Sequence, residues 1–156
     1  MLEFKELVDC FAQKLGIAGL APDENGTVKM SVDGMRVEIL HDAPGGSVLT
    51  CAEIGEPPPE GSDRFAAVLL RANFMFQGTD GATLSQNPET KAYALIRPFA
   101  LDGLDVDTFA DQFGKFVDCV ERWRQVISDF RSAEEAAPSE DLDPNSPFGG
   151  DGFMAV

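Results

Sequence analysis

The sequence predicts an α+β domain in which helices pack on a twisted, mostly antiparallel sheet, in the order α-β-β-β-α-β-β-α. Apolar residues recur at helical steps of three and four near both ends of the chain, which indicates two amphipathic helices. Between them, apolar and polar residues alternate on both sides of Asp33-Gly34, as they do in paired strands. We place one such domain at residues 1–131 and an acidic tail at residues 132–156.

The first predicted helix covers residues 2–15. Gly16 follows it and suits the left-handed residue that ends a helix. The apolar side chains of this helix share one face, which consists of Phe4, Leu7, Val8, Phe11 and Leu15.

Three strands are predicted next, and the first two form a hairpin. Asp33-Gly34 stands between two runs of alternating residues, and an Asp-Gly turn in that position is typical of a β-hairpin. Residues 41–46 are expected to form a loop. Residues 48–54 are mostly apolar and predict a third strand at the centre of the sheet.

Residues 64–76 predict a short helix that is apolar on more than one side, with Ser62 or Asp63 as its cap. Its main stripe consists of Phe65, Val68, Leu69, Ala72 and Phe76, while Ala66, Ala67, Leu70 and Met75 extend the apolar surface to other faces. A helix of this kind needs cover on several sides. A second copy of the protein is one possible cover, and the core of a monomer is the other.

A glycine-bounded turn at residues 78–81 separates this helix from the fourth strand, expected at residues 82–85. The fifth strand is predicted at residues 92–99 and a long last helix at residues 105–130. From Ser132 the chain has six acidic residues and no Lys or Arg, which predicts a disordered tail.

The composition excludes several classes of partner. Lys and Arg number 12 against 27 Asp and Glu, and the net charge of −15 disfavours nucleic acid and acidic membranes. No run of residues is long and apolar enough to span a membrane, and the first residues do not resemble a signal peptide. Cys10, Cys51 and Cys119 lie apart within apolar patterns, so we expect buried thiols in a reducing, cytoplasmic compartment.

No pattern in the sequence predicts a catalytic residue, a metal site or a cofactor. His41 is the single histidine, and we expect it to be a solvated loop residue. The acids at 102, 105 and 107 lack the glycine and glutamate of a calcium loop, and are expected to favour the start of the last helix.

Several motifs, taken in order along residues 1–131, resemble one family: the class I, Tir-chaperone-like chaperones of type III secretion systems. The motifs are FKEL at 4–7, LGI at 15–17, PDENG at 22–26, VDG at 32–34, IGE at 54–56, LLRANF at 69–74, GTDGATLS at 78–85 and ERWR at 121–124. Each motif is weak alone, and their order makes the resemblance specific.

The resemblance implies a homodimer without catalytic activity that binds an N-terminal segment of a secreted effector and keeps it competent for export. It implies a dimer interface at Phe65, Val68, Leu69, Ala72, Phe76, Ala82 and Leu84. It also implies effector-binding patches on the first helix and the hairpin, which we assign to Phe4, Val8, Phe11, Met30, Met35 and Val37.

Two alternatives stay open: an interaction module that is not a chaperone, and a small enzyme of unknown chemistry. The apolar cluster at residues 148–156 leads to one more hypothesis, that the end of the tail occupies an empty effector groove.

Overall fold

A computed structural model describes residues 3–136 of the chain. The elements follow the predicted order, with one added short 3₁₀ turn: α1 (Phe4–Leu15), β1 (Thr27–Val32), β2 (Met35–Asp42), β3 (Ser47–Gly55), α2 (Ser62–Asn73), the 3₁₀ turn (Phe74–Phe76), β4 (Thr83–Gln86), β5 (Tyr93–Ala100) and α3 (Val106–Ala136). The α+β fold class is confirmed. The hypothesis about residues 148–156 lies outside the described residues.

The five strands form one antiparallel sheet in the order β1-β2-β3-β5-β4. The predicted hairpin is present, because Val32 pairs with Met35 and leaves Asp33 and Gly34 as a two-residue turn. Both turn residues have positive φ, 48° and 77°, as the tight turn of a hairpin requires. The third strand lies at the centre of the sheet, as its apolar sequence predicts.

Helices α1 and α3 cover one face of the sheet and bury the core there. The Phe11 ring meets the rings of Phe109 and Phe113 edge to face, with centroids 5.0 and 5.1 Å apart. Phe109 in turn packs edge to face against Phe99 of β5. Aromatic rings prefer this arrangement, and each buries a large apolar area. The aromatic residues that recur along α3 therefore hold α1 and the sheet together.

The turn at residues 78–81 is fixed to α3 and the sheet by polar contacts. The indole N–H of Trp123 donates to the Gly78 carbonyl at 2.9 Å, and the Cys119 thiol contacts the Thr79 carbonyl at 3.5 Å. Arg97 of β5 donates to the Gln112 side chain, and its Nη1 lies 3.9 Å from an Asp80 carboxylate oxygen. These contacts fix where α2 ends and β4 begins.

Four local predictions are wrong. Helix α2 ends at Asn73, so Phe76 does not continue its helical stripe. His41 lies in β2 rather than in a loop, and its ring stacks on Phe4 with centroids 4.9 Å apart. Gly61 (φ 68°), not Ser62 or Asp63, precedes α2, and no side chain caps the helix. Helix α3 continues to Ala136, five residues into the predicted tail, because Arg131 donates to the Glu56 and Pro57 carbonyls and Glu134 pairs with Arg64.

We expect Trp123→Phe to lower the free energy of unfolding by about 1–3 kcal/mol, because the Gly78 carbonyl loses its donor while an aromatic ring is kept. Urea denaturation followed by circular dichroism measures the change. Arg124→Gln, at an exposed neighbouring position, is the control and should stay within about 0.5 kcal/mol of the wild type. Equal stability of the Trp123→Phe variant and the control would contradict the proposed anchoring.

Candidate functional site

Helix α2 lies at the outer edge of β4 and buries one side only. The Phe65 ring packs against Tyr93 and Phe130, with centroids 5.6 and 5.0 Å away, and Leu69 is buried beside it. This side of the helix completes the core of the protomer. Helical spacing predicts that Phe65 and Leu69 share one side of the helix, but it leaves open whether a second copy or the core of the protomer covers that side.

The other side of α2 and the 3₁₀ turn after it are exposed and apolar. Leu70, Phe74 and Met75 have 71%, 71% and 72% of their surface exposed, and Phe76 has 54%. Met75 and Phe76 both have positive φ, 55° and 56°, which is unfavourable for bulky side chains. We call these four residues the α2 face. Such a concentration of exposed large apolar residues is typical of an interaction site.

The α2 face overlaps the predicted dimer interface only in part. Phe65, Leu69, Ala82 and Leu84 are buried within the protomer, Val68 and Ala72 are half-buried, and Phe76 is exposed. The prediction omitted Leu70, Phe74 and Met75. The signal that could have identified them was the apolar surface on the other sides of the helix, since one buried stripe leaves those residues uncovered.

Asn73, the last residue of α2, forms two hydrogen bonds with β4. Its side-chain amide donates to the Leu84 carbonyl at 3.0 Å, and its oxygen accepts from the Leu84 N–H at 2.8 Å. The Asn73 side chain thus forms hydrogen bonds with the two backbone groups of Leu84 that could otherwise pair with a neighbouring strand. At the opposite end of the sheet order, β1 pairs only with β2 among the strands that the structure describes.

The sheet also has a face on which none of the described helices packs, and we call it the open sheet face. Strand register aligns Leu40, Leu49 and Pro98 in one row across it, and Glu38, Cys51 and Ile96 in the next. Leu40, Leu49, Cys51 and Ile96 are half-buried, so they retain accessible apolar surface. Strands of alternating pattern often leave one face to solvent, but that face is normally polar.

One end of the open sheet face forms a groove of about 460 Å³. Its floor includes Cys51, Ala94 and Ile96, and its rim includes Arg36, Glu38, Glu53 and Glu89. Burial raises the pKa of the Cys51 thiol to about 11, and the negative charges of Glu38 and Glu53 add to the effect. The thiol is therefore protonated at neutral pH and poorly reactive.

Five of the six residues assigned to effector binding are core residues. Phe4, Val8, Phe11, Met35 and Val37 are at most 7% exposed, and only Met30 is half-buried. The expectation that they form open patches is wrong for this protomer, because α1 and the hairpin turn their apolar sides toward each other and toward α3. The effector role itself stays a prediction.

Residues 3–136 contain no group of three or more His, Cys, Asp or Glu side chains that could hold a metal ion. The predicted burial of the cysteines is correct for Cys119, whereas Cys10 and Cys51 are half-buried. Asp105 accepts hydrogen bonds from the backbone and hydroxyl of Thr108 at the start of α3, and these bonds lower the pKa of its carboxyl group. In the described part of the chain, no helix has the length and apolar character needed to cross a membrane.

The model of the Tir chaperone protein (CesT) family matches residues 6–124. The chain belongs to this family. The match spans all elements from α1 into α3, and it confirms the resemblance found in the sequence. The prediction of a type III secretion chaperone is thereby confirmed. No curated protein sequence matches the chain.

Solved structures give the same result for the fold. The chain is similar to a chain of the ExsC–ExsE complex (TM-score 0.67, 21% identity, 79% of this chain and 92% of that chain). It is also similar to a chain of the HopA1–SchA chaperone–effector complex (TM-score 0.66, 19% identity, 78% and 93%). A third similar structure is the Yersinia pestis type III secretion chaperone SycH in complex with a fragment of YscM2 (TM-score 0.62, 14% identity, 78% and 99%).

In this CesT-family chain, we expect Asn73→Asp to lower the free energy of unfolding by about 1–3 kcal/mol. The new carboxylate keeps the acceptor for the Leu84 N–H but sets a second oxygen against the Leu84 carbonyl. Gln13→Glu, an equal charge change at an exposed position of α1, is the matched control. The stability of both variants is compared by their denaturation midpoints. Equal midpoints would show that the two hydrogen bonds between Asn73 and Leu84 do not contribute to stability.

Proposed function

We propose that this CesT-family chaperone acts as a cytoplasmic homodimer that holds an N-terminal segment of a secreted effector in an export-competent form. The observation that carries the proposal is the family match over residues 6–124. Binding alone is sufficient for the task, because a protein that prefers the extended state of its partner shifts the equilibrium toward that state without ATP. We infer no catalytic activity and no cofactor.

The α2 face supports the dimer. Leu70, Phe74 and Met75 are large apolar residues that the protomer leaves exposed at a single edge. In a chain with a net charge of −15, two copies repel each other unless apolar contact outweighs the repulsion. A two-fold contact between two such faces buries large apolar side chains that are exposed in the protomer.

The open sheet face supports effector binding. Leu40, Leu49 and Ile96 offer half-buried apolar surface that is continuous across three strands. This surface is accessible without unfolding the protomer, unlike the core residues of α1 and the hairpin. A segment bound there gains apolar contacts, and β1 offers backbone groups to an added strand.

Leu70→Asp is expected to convert the dimer into a folded monomer, because it places a charge in the proposed interface at a position that is 71% exposed in the protomer. Sedimentation equilibrium gives the mass, and circular dichroism tests folding. Leu15→Asp, 44% exposed on α1, is the matched control and should remain a dimer.

Leu69→Asp differs from Leu70→Asp, because Leu69 is only 5% exposed within the protomer. We expect it to unfold the chain rather than to separate intact subunits. If the Leu70→Asp variant sediments as an unchanged dimer, the α2 face is not part of the dimer interface.

Effector binding is tested by co-expression of the chain with proteins encoded nearby, followed by pull-down. We expect the wild type to retain one such protein through its N-terminal segment. The double variant Leu49→Thr/Ile96→Thr has β-branched residues at both strand positions but removes apolar surface, and it should lose most of the partner. If the double variant recovers as much of the partner as the wild type, the effector binds to another surface.

A further inference from the structure

The groove at the end of the open sheet face combines an apolar floor with an acidic rim. Ile96 and Ala94 of β5 and Cys51 of β3 form the floor. Along the rim, carboxylates outnumber the single guanidinium three to one. A groove with this floor and this rim suits a segment that is apolar on one side and charged at its flanks.

The rim carboxylates come from three different parts of the sheet. Glu38 lies on β2, Glu53 on β3, and Glu89 in the turn that joins β4 to β5. Glu53 and Glu89 are exposed, and the Glu38 side chain is 34% exposed. The three carboxylates therefore surround the apolar floor from more than one direction.

The basic groups nearby offset this charge only in part. Within residues 3–136, Arg36 is the only basic residue that lines the groove. Its Nε lies 3.9 Å from a Glu38 oxygen, and 75% of its side chain is exposed. Lys29, next to Glu38 on β1, is paired with Asp23 at 3.0 Å. The groove therefore keeps a net negative charge. Burial raises the pKa of the Cys51 thiol on its floor, and Glu38 and Glu53 add a smaller contribution.

We propose that this groove selects effector segments that carry Lys or Arg on both flanks of a short apolar stretch. The proposal rests on the proposed function, and it specifies the chemistry of the segment that the open sheet face accepts. Glu38, Glu53 and Glu89 attract the flanking cations, while the floor buries the apolar side chains between them. Exposed ion pairs at a rim contribute modestly to affinity and strongly to the choice of partner.

The same charges argue against two other occupants. Residues 137–156 contain four acidic residues and no Lys, Arg or His, so the groove repels the chain's own tail sequence. A second copy of the chain carries a net charge of −15 and is repelled as well. Charge thus favours a basic partner over both.

The test uses the full chain and three synthetic peptides of equal length that share the same short apolar stretch. The residues on both flanks of this stretch are Lys in one peptide, Gln in the second and Glu in the third. Fluorescence anisotropy at low and at high salt measures affinity. We expect the Lys peptide to bind about tenfold more tightly than the Gln peptide at low salt, the Glu peptide not to bind, and the difference to shrink at high salt.

Two charge-matched variants separate the rim from the overall negative charge of the protein. In Glu38→Gln/Glu53→Gln/Glu89→Gln, we expect the affinity for the Lys peptide to fall about tenfold. The control Glu24→Gln/Asp118→Asn/Glu121→Gln removes the same charge from exposed positions outside the groove, and its affinity should change less than about twofold.

Each outcome decides between the inference and the function on which it rests. Equal losses in the rim variant and the control, or binding of none of the peptides, would overturn the inference. If Leu49→Thr/Ile96→Thr abolishes binding of all peptides while the rim variant keeps the wild-type preference, the effector surface stands and charge selection is wrong. If the double variant binds every peptide as the wild type does, the open sheet face is not the effector surface.

Discussion

The packing of one long helix on one face of the sheet is the constraint on which the rest of the structure depends. Helix α3 carries aromatic residues at nearly every second turn, and Phe109 and Phe113 hold α1 while Trp123 holds the turn that precedes β4. Because α1, α2 and α3 pack against the same side or edge of the sheet, the part of the chain that the structure describes leaves the opposite face and the outer side of α2 uncovered. Both candidate interaction surfaces follow from this one-sided arrangement, which suits a protein whose task is to hold another chain.

The α2 face and the open sheet face differ in exposure and charge, so they suit different kinds of partner. The α2 face is strongly apolar and exposes large side chains, so it resembles half of a permanent interface. The open sheet face is flatter, only half exposed, and bordered by carboxylates. Charged groups at the border of such a surface affect the choice of partner more than the affinity.

Features set by neighbouring residues could be predicted from the sequence, and features set by distant contacts could not. The Asp33-Gly34 hairpin follows from two residues that tolerate positive φ, and the apolar stripe of α1 follows from helical periodicity. Periodicity shows which residues share a face but not what covers that face. The family resemblance implies an open patch at Phe4, Val8 and Phe11, although α3 and the hairpin cover these residues. His41 was placed in a loop because nothing local reveals that Phe4 stacks on its ring.

The backbone conformation of Met75 and Phe76 lowers the stability of the isolated protomer. Two successive bulky residues in the left-handed region cost about 1–2 kcal/mol each, and glycine is the residue that avoids this cost. The chain nevertheless keeps a thioether and an aromatic ring there, both more than half exposed. A lone subunit gains nothing from this choice, so the isolated protomer is less stable than its sequence could make it. Mutagenesis guided only by the stability of the protomer would therefore tend to replace these two residues and remove the exposed apolar surface, on which the proposed contact between subunits depends.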